Sequence, residues 1–490
     1  MLRIVVLDID GLRPDVLDRA LVEGRAPGLA RILAPGRTLP VEAVSTAPSI
    51  TFCAQTAMFT GVAPRESNVV GNQFFDRFGA WSQGQPHFYA FDVGDLLAVE
   101  DAPRIYTKPD GLLGTLIPAG VRTLYERAGR NGLASTVVYN MVGRGATEWI
   151  TPNLIDIARF AKGGGLFGME PARFDNEMTS RAVHHLRAGS RPEVLTLYFL
   201  GLDHVSHHEG PDAQLPYLEH TLDADIRQVL AALESHDMLT DTIFVVASDH
   251  GQIAVKDDRR HSLRLSFPFD NELAYVFHAL GLDVHDYPGE APACDAVVAS
   301  NGGLAQVYLQ HRHGNWATPP RFEADVLPVA RAFWQAHLTG EYSQELQGSL
   351  AMILARNVER EGWSAPYLAV AVDGQTASVE AFLASTPGLE TCAAPWRLRR
   401  LASPYAGDLI LVANYADGFY FSGPMKGVHG GLASGDSRAV LSFSQPFGEA
   451  QAAETTLATL KAAIADRCQR DARSPDVSDL TGALSALLPL

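Results

Sequence analysis

The chain has 490 residues, 47% hydrophobic and 19% charged, with 39 basic against 56 acidic side chains and a net charge of −17. This is a globular composition with ample apolar mass, enough for one large domain with insertions or for two domains. The acidic balance argues against a nucleic-acid polymer or an anionic membrane as the main partner, and an anionic substrate would have to be met by local positive charge, for which metal ions are the obvious source.

In chain order, the first element is an apolar run over Leu2–Leu7 that reads as a strand. Further runs over Ser135–Tyr139, Val194–Leu200 and Thr242–Ala247 lack strict alternation, which suits parallel strands covered on both faces. Between the last two, Leu218, Leu222, Ile226, Val229 and Leu233 recur at helical spacing and predict a helix over Leu215–Leu239, with Pro216 in its first turn. Strands alternating with helices predict an α/β fold, an α/β/α sandwich around a mostly parallel central sheet. Two stretches break the rhythm. Residues 72–110 are rich in Gly and aromatics and read as an insertion; residues 265–420 have mixed patterns and read as a cap or insertion region. The catalytic core is therefore expected over 1–264 and 421–490, the latter closing on a short amphipathic helix at Leu480–Leu490. The four cysteines (Cys53, Cys294, Cys392, Cys468) are far apart with no CxxC, the pattern of isolated thiols. With no legible secretory signal and no apolar run long enough to span a bilayer, the expected location is cytoplasmic, without a membrane partner. Oligomeric state is not legible.

Three of the apolar strands run into acidic or acid/imidazole clusters: Asp8-Ile9-Asp10-Gly11, Asp203-His204-Val205-Ser206-His207-His208, and Ser248-Asp249-His250-Gly251. In an open α/β sheet the carboxyl ends of the strands share one edge, where ligands bind. Taken singly, each cluster has a plainer reading: Asp-Gly is a common turn, and Asp in such loops often caps a helix. Asp203 with His207 is stronger, because i and i+4 share one face of a helical turn. Their coincidence at successive strand ends favours a metal site, and mixed oxygen and imidazole ligands suit zinc, manganese or similar ions. A fourth segment, Ser45 to Gln55, holds four hydroxyl residues (Ser45, Thr46, Ser49, Thr51) before a helix-like stretch. A hydroxyl at a helix N-terminus sits where an anion is favoured and could be activated by a metal, although an ordinary N-cap is the commoner fate.

These motifs resemble the alkaline phosphatase superfamily, and within it the type I phosphodiesterase/nucleotide pyrophosphatase family. Ile9-Asp10-Gly11-Leu12-Arg13-Pro14-Asp15 is similar to the family's opening motif, and Pro48-Ser49-Ile50-Thr51-Phe52 through Thr60-Gly61 to Gly71-Asn72 to its nucleophile block. Asp203-x-x-x-His207 with Gly210-Pro211, then Ser248-Asp249-His250-Gly251, then Gly427-Val428-His429-Gly430-Gly431 follow in the family's order. The resemblance implies two divalent ions. Asp10, Asp249 and His250 would hold one beside the nucleophile Thr51, and Asp203, His207 and His429 the other. Asn72 would donate to a phosphoryl oxygen. Zinc best suits this set, and manganese or iron could occupy it. Three carboxylates and three neutral imidazoles against two divalent ions leave one positive charge, which an ionised Thr51 cancels. The implied reaction is hydrolysis of a small-molecule phosphodiester or pyrophosphate through a threonine-bound intermediate.

The chain departs from the family where Cys53-Ala54-Gln55 replaces Pro-Asn-His; Cys53 is read as a buried residue, not a reactive thiol. His204 and His208 compete with His207, and Asp8 with Asp10; the spacing from Asp203 favours His207, and Asp8 is read as supporting. The neutral Asn72 favours a singly charged diester. A phosphomonoesterase, or a hydrolase similar to phosphonoacetate hydrolase, would need a cation such as Arg65, Arg77, Arg259 or Arg260, or His261. A binding protein without catalysis would have lost ligands or nucleophile, which are all present.

Overall fold

The computed structural model describes residues 3–91, 104–105, 108–161, 168–264, 272–286, 289–291 and 293–488. Its central sheet has seven strands in the order Thr38–Val44, Arg438–Ser444, Thr242–Ala247, Arg3–Ile9, Val194–Phe199, Ser135–Val138, Glu148–Ile150. Five of them, from Thr242–Ala247 to Glu148–Ile150, are mutually parallel, and Arg438–Ser444 runs antiparallel to both of its neighbours. The three central strands are buried along almost their whole length, so their unbroken Val, Ile, Leu and Phe runs face helices on both sides. Leu218, Ile226, Val229, Met178 and Leu186 belong to the same core cluster as Phe59, Leu460, Leu480 and Leu484. The fold is the mixed α/β architecture with a large, mostly parallel sheet that the sequence predicts.

The predicted helix over Leu215–Leu239 is divided. An α-turn at Gln214–Tyr217 passes through a π-helical turn at Leu218–Leu222 into a helix that stops at Glu234. The apolar residues still face the core, because the π turn absorbs one extra residue. The chain leaves the helix where Asp237 adopts φ +54° and the Met238 N–H returns to the Leu233 carbonyl. The tail helix is Asp479–Leu484.

Residues 284–413 contain a second seven-stranded sheet, in the order Val284–His285, Ala296–Asn301, Leu304–Leu309, Leu409–Ala413, Leu350–Arg356, Tyr367–Val370, Thr376–Ser378. Its pairings are antiparallel apart from the two-residue edge at Val284–His285. Helices Glu272–Ala279 and Leu327–Thr339 cover it with Phe277, Val329 and Phe333. Residues 265–271, 287–288 and 292 of the expected cap region lie outside the described residues. The expected aromatic insertion opens with a hairpin, Gln73–Asp76 on His87–Ala90, whose Phe74, Tyr89 and Phe91 form one aromatic group with Phe52. Residues 92–103 and 106–107 of the insertion lie outside the described residues.

Candidate metal centre

The parallel register aligns Ile9 with Phe199, and Asp8 with both Tyr198 and Ala247. The three chain segments that leave these strands therefore emerge at one edge of the sheet, carrying Asp10, Asp203 and Asp249. Gly11 can follow Asp10 only as glycine: its φ is +67°, and a Cβ there would stand 2.8 Å from Asp203 Oδ1. Ser248 ties the third segment down by donating to the Leu12 carbonyl and accepting the Val440 N–H, both at 2.8 Å.

Two trios of ligand-type atoms result, each gathered within 4.8 Å: Asp10, Asp249 and His250, and Asp203, His207 and His429. In the first, His250 Nε2 lies 3.4 Å from Asp10 Oδ1 and 3.5 Å from Asp249 Oδ2. In the second, His207 Nε2 lies 3.1 Å from Asp203 Oδ2, and His429 Nε2 lies 3.7 Å from Asp203 Oδ1. The trios adjoin, with the His250 and His429 rings stacked at a centroid distance of 3.5 Å.

All three imidazoles are oriented alike. The Nδ1 atoms of His207, His250 and His429 lie 2.8, 3.0 and 3.0 Å from the carbonyl oxygens of Gly427, Gly251 and Ser49. A carbonyl can only accept, so each Nδ1 carries a proton and each Nε2 is turned into the site. Two of these nitrogens, those of His207 and His429, lie 3.2 Å apart. Asp10 Oδ1 and Asp249 Oδ2 are buried without any hydrogen-bond donor. Orphaned carboxylate oxygens buried beside converging imidazole nitrogens carry a desolvation penalty that cations would relieve, so these residues fit a pair of divalent ions.

The surrounding hydrogen bonds support the carboxylates. Tyr198 Oη donates to Asp10 Oδ2 and Gln252 Nε2 to Asp203 Oδ1, while the Gly11 and His250 N–H groups hold Asp249 Oδ1 at 3.1 and 3.0 Å. Burial, reinforced by Asp249 and Asp203, holds the Asp10 carboxyl well above the usual carboxylate range. Asp203 is also buried, but His207, His429 and His250 outweigh that and hold it below the range. Burial pushes His429 well below the usual imidazole range. Asp8 stands behind this layer and accepts from Gln55 at 3.1 Å and Asn140 at 2.8 Å.

The hydroxyl-rich segment ends in a fully buried helix, Thr51–Thr60, with Thr51 as its first residue. Thr51 Oγ1 lies 3.2 Å from His250 Nε2. Two of the other hydroxyls are used elsewhere: Thr46 donates to the Pro48 carbonyl at 2.6 Å, and Ser49 lies 3.1 Å from the Gly431 carbonyl and 3.2 Å from Asp436, while Ser45 Oγ is buried without a hydrogen-bond partner among the described residues. Asn72 Oδ1 accepts the Phe52 N–H at 2.9 Å, which fixes the amide and leaves its Nδ2 without a protein acceptor among the described residues. Cys53 is buried behind Thr51, and burial pushes its thiol up to about 12.

The competing candidates stand apart. The His204 ring packs at a tilt against His208 and Phe160, and both histidines line a cleft of about 550 Å³ with Tyr217. Arg77 is buried against Asp408 at 3.0 Å and under Trp363, and Arg65 pairs with Glu66 at 3.5 Å on the surface. Arg259 and Arg260 lower the Glu345 pKa, behind the effects of its hydrogen bonds and burial, and His261 pairs with Asp258 at 2.7 Å.

One residue that the sequence does not announce is Asn301, at the end of a second-sheet strand. Its Oδ1 accepts the Asn72 and Gln73 N–H groups at 2.8 and 3.2 Å, and its Nδ2 donates to the Gln73 carbonyl at 3.0 Å. The adjoining Gly302-Gly303 turn meets the other side of the site. The Gly303 N–H donates to the His429 carbonyl at 2.9 Å, and a Cβ on Gly302 would lie 1.9 Å from that oxygen. No local pattern marks such side-chain contacts across more than 200 residues.

Comparison with known proteins fits this picture. Residues 4–376 match the family described as Type I phosphodiesterase / nucleotide pyrophosphatase. Murine ectonucleotide pyrophosphatase/phosphodiesterase 5, solved as an inactive variant in complex with AMP, superposes with a TM-score of 0.55 at 12% identity, covering 100% of this chain and 95% of that one. The human counterpart gives 0.57 at 12% identity, covering 99% and 94%. Among curated proteins, GPI ethanolamine phosphate transferase 2 of Aspergillus fumigatus is 24% identical over 255 residues, 51% of this chain and 27% of that protein. Its Aspergillus oryzae counterpart is 40% identical over 80 residues, 16% of this chain and 9% of that protein. The match thus spans about a quarter of the first relative's length. Among the described residues, no helix is long and apolar enough to cross a membrane.

Proposed function

Because this chain belongs to the type I phosphodiesterase/nucleotide pyrophosphatase family, we propose that it hydrolyses a phosphodiester or pyrophosphate bond of a small molecule, with Thr51 as nucleophile and two divalent cations, best zinc, held by the two trios. The observation that carries this reading is the convergence of three inward Nε2 atoms and two orphaned carboxylate oxygens beside one threonine hydroxyl. Asp10, Asp249 and His250 would hold one cation, and Asp203, His207 and His429 the other. When bound, the cations supply positive charge that lowers the pKa of the attacking hydroxyl and offsets the charge of the phosphoryl oxygens.

The chain's own groups do the rest. The helix start at Thr51 sets Oγ1 beside His250 of the first trio, where it attacks phosphorus and expels the leaving alcohol or phosphate. The Asn72 Nδ2 donates to a non-bridging oxygen, and the helix N-terminus favours the anion. The threonine-bound ester that forms is then cleaved by water, releasing a monoester and regenerating Thr51. Diesters are favoured because Asn72 is neutral and Arg77 is buried against Asp408.

Hydrolysis of bis-p-nitrophenyl phosphate and p-nitrophenyl phosphate, with zinc or manganese supplied, tests this. The diester is expected to be the faster substrate, and Thr51→Ala is expected to abolish turnover while retaining metal. A faster monoester would reverse the substrate class, and undiminished turnover of Thr51→Ala would remove the nucleophile. A second reading is favoured by the curated relatives alone: the threonine-bound ester passes to an alcohol instead of water. Added ethanolamine or glycerol would then yield a new diester in place of part of the monoester.

A further inference from the structure

The far end of the nucleophile helix carries a second concentration of charge, of the opposite sign to the chain as a whole. A groove of about 510 Å³ is lined by Arg65, Arg399, Arg400, Arg467, Arg470 and Arg473, on a chain whose net charge is −17. Gly61 at its floor ends the ten-residue helix Thr51–Thr60, so the groove is about 15 Å from Thr51 and is no part of the reacting centre. Arg467 donates to the Gly61 carbonyl at 2.9 Å, which anchors the groove to the helix C-terminus.

The arginines fall into two groups. Arg400, Arg467 and Arg473 are the inner ones, held from below by buried Asp476 and Asp479 at 3.2, 2.7 and 2.6 Å. Their geometry is fixed by these partners; the Arg473 side chain is fully buried, and its Nε makes no hydrogen bond among the described residues but has Asp471 Oδ2 3.5 Å away. Arg65, Arg399 and Arg470 form the rim, with side chains 47%, 53% and 64% exposed. They meet only solvent-facing carboxylates, Glu66 at 3.5 Å, Glu380 at 2.8 Å and Asp471 at 3.3 Å, and such pairs are weak and screened. Rim guanidiniums can therefore turn to a stronger acceptor, and phosphate offers the planar guanidinium two parallel hydrogen bonds. Trp396 adds an aromatic wall. The volume exceeds what one phosphate fills, and the charges are spread around it.

We propose that this groove binds a small molecule carrying two or more linked phosphate groups, at a site separate from the reacting centre. The test uses the metal-loaded enzyme and methylenediphosphonate, whose P–C–P bridge resists hydrolysis. Binding is measured by calorimetry for the native chain and for the rim double variant Arg399→Glu/Arg470→Glu, with turnover of bis-p-nitrophenyl phosphate followed in both. The expected result is loss of one equivalent of bound diphosphonate in the variant, with kcat unchanged. Equal stoichiometry and affinity in the two proteins would overturn the site. Orthophosphate bound in the groove as tightly as the diphosphonate would overturn the assignment to linked phosphates. Neither result depends on which bond the enzyme cleaves.

Discussion

At the scale of single residues, Asn72 joins two backbone segments and still has an amide hydrogen to spend. Its Oδ1 is held by the N–H of Phe52, the residue after Thr51, which sets which end of the amide is the donor. Asn72→Ala is expected to lower kcat by about 10²-fold, the scale of one lost oxyanion donor, with metal content unchanged by elemental analysis. Asn301 acts on the same amide through its backbone. Asn301→Ala is expected to reduce kcat on the order of tenfold, because a small misplacement near the reacting atoms is costly. A double-mutant cycle decides the route: in an Asn72→Ala background the Asn301 effect should largely vanish, whereas full additivity would make Asn301 a separate structural support. Cys53 gives a simpler expectation. Its thiol is buried and pushed up to about 12, so alkylation of the native enzyme near neutral pH should leave Cys53 unlabelled in a peptide map until the chain is unfolded.

At the scale of elements, the parallel strands explain what could be read from sequence. Asp10, Asp203 and Asp249 follow apolar runs that are buried on both faces, and parallel pairing forces such ends to one edge. The choice between His204, His207 and His208 rested on helical spacing, and only His207 faces Asp203. The second sheet was not legible as a sheet. Several of its strands have only two to four residues, and the strand at its middle, Leu409–Ala413, pairs on both sides with segments more than 40 residues away, Leu304–Leu309 and Leu350–Arg356. The π turn at Leu218–Leu222 was hidden for the opposite reason: it keeps the apolar face continuous, so the pattern reads as one helix. Gly302 tests how closely the two sheets meet. Gly302→Ala combines a φ of +67° with a 1.9 Å approach to the His429 carbonyl. Gly348→Ala has similar backbone strain, at φ +78°, with nothing within 4 Å. The first variant should lose several degrees of Tm and most activity. The second should lose only the strain component, on the order of 1–3 kcal/mol or less, and keep its kcat.

At the scale of the whole molecule, the cations proposed for the site bear on stability as well as chemistry. Without them the fold buries Asp10 and Asp249 with unsatisfied oxygens. A ligand that binds only the folded state stabilises it, by about 4 kcal/mol at a thousandfold excess over its Kd. Chelation is therefore expected to lower Tm measured by calorimetry, and zinc or manganese to restore it together with activity. An unchanged Tm on chelation, in protein shown by elemental analysis to have carried metal, would contradict this account.

The position of His429 has a bearing on biosynthesis. Five of the six candidate ligands have been made by residue 250, and the sixth follows only after the entire second sheet, whose turn holds its carbonyl. A nascent chain emerging from the ribosome thus owns a complete first trio while the second lacks a member. Chains arrested before residue 429 should be able to take up one cation but not the pair, so that hydrolytic competence arrives late in translation and depends on a segment that carries no ligand of its own.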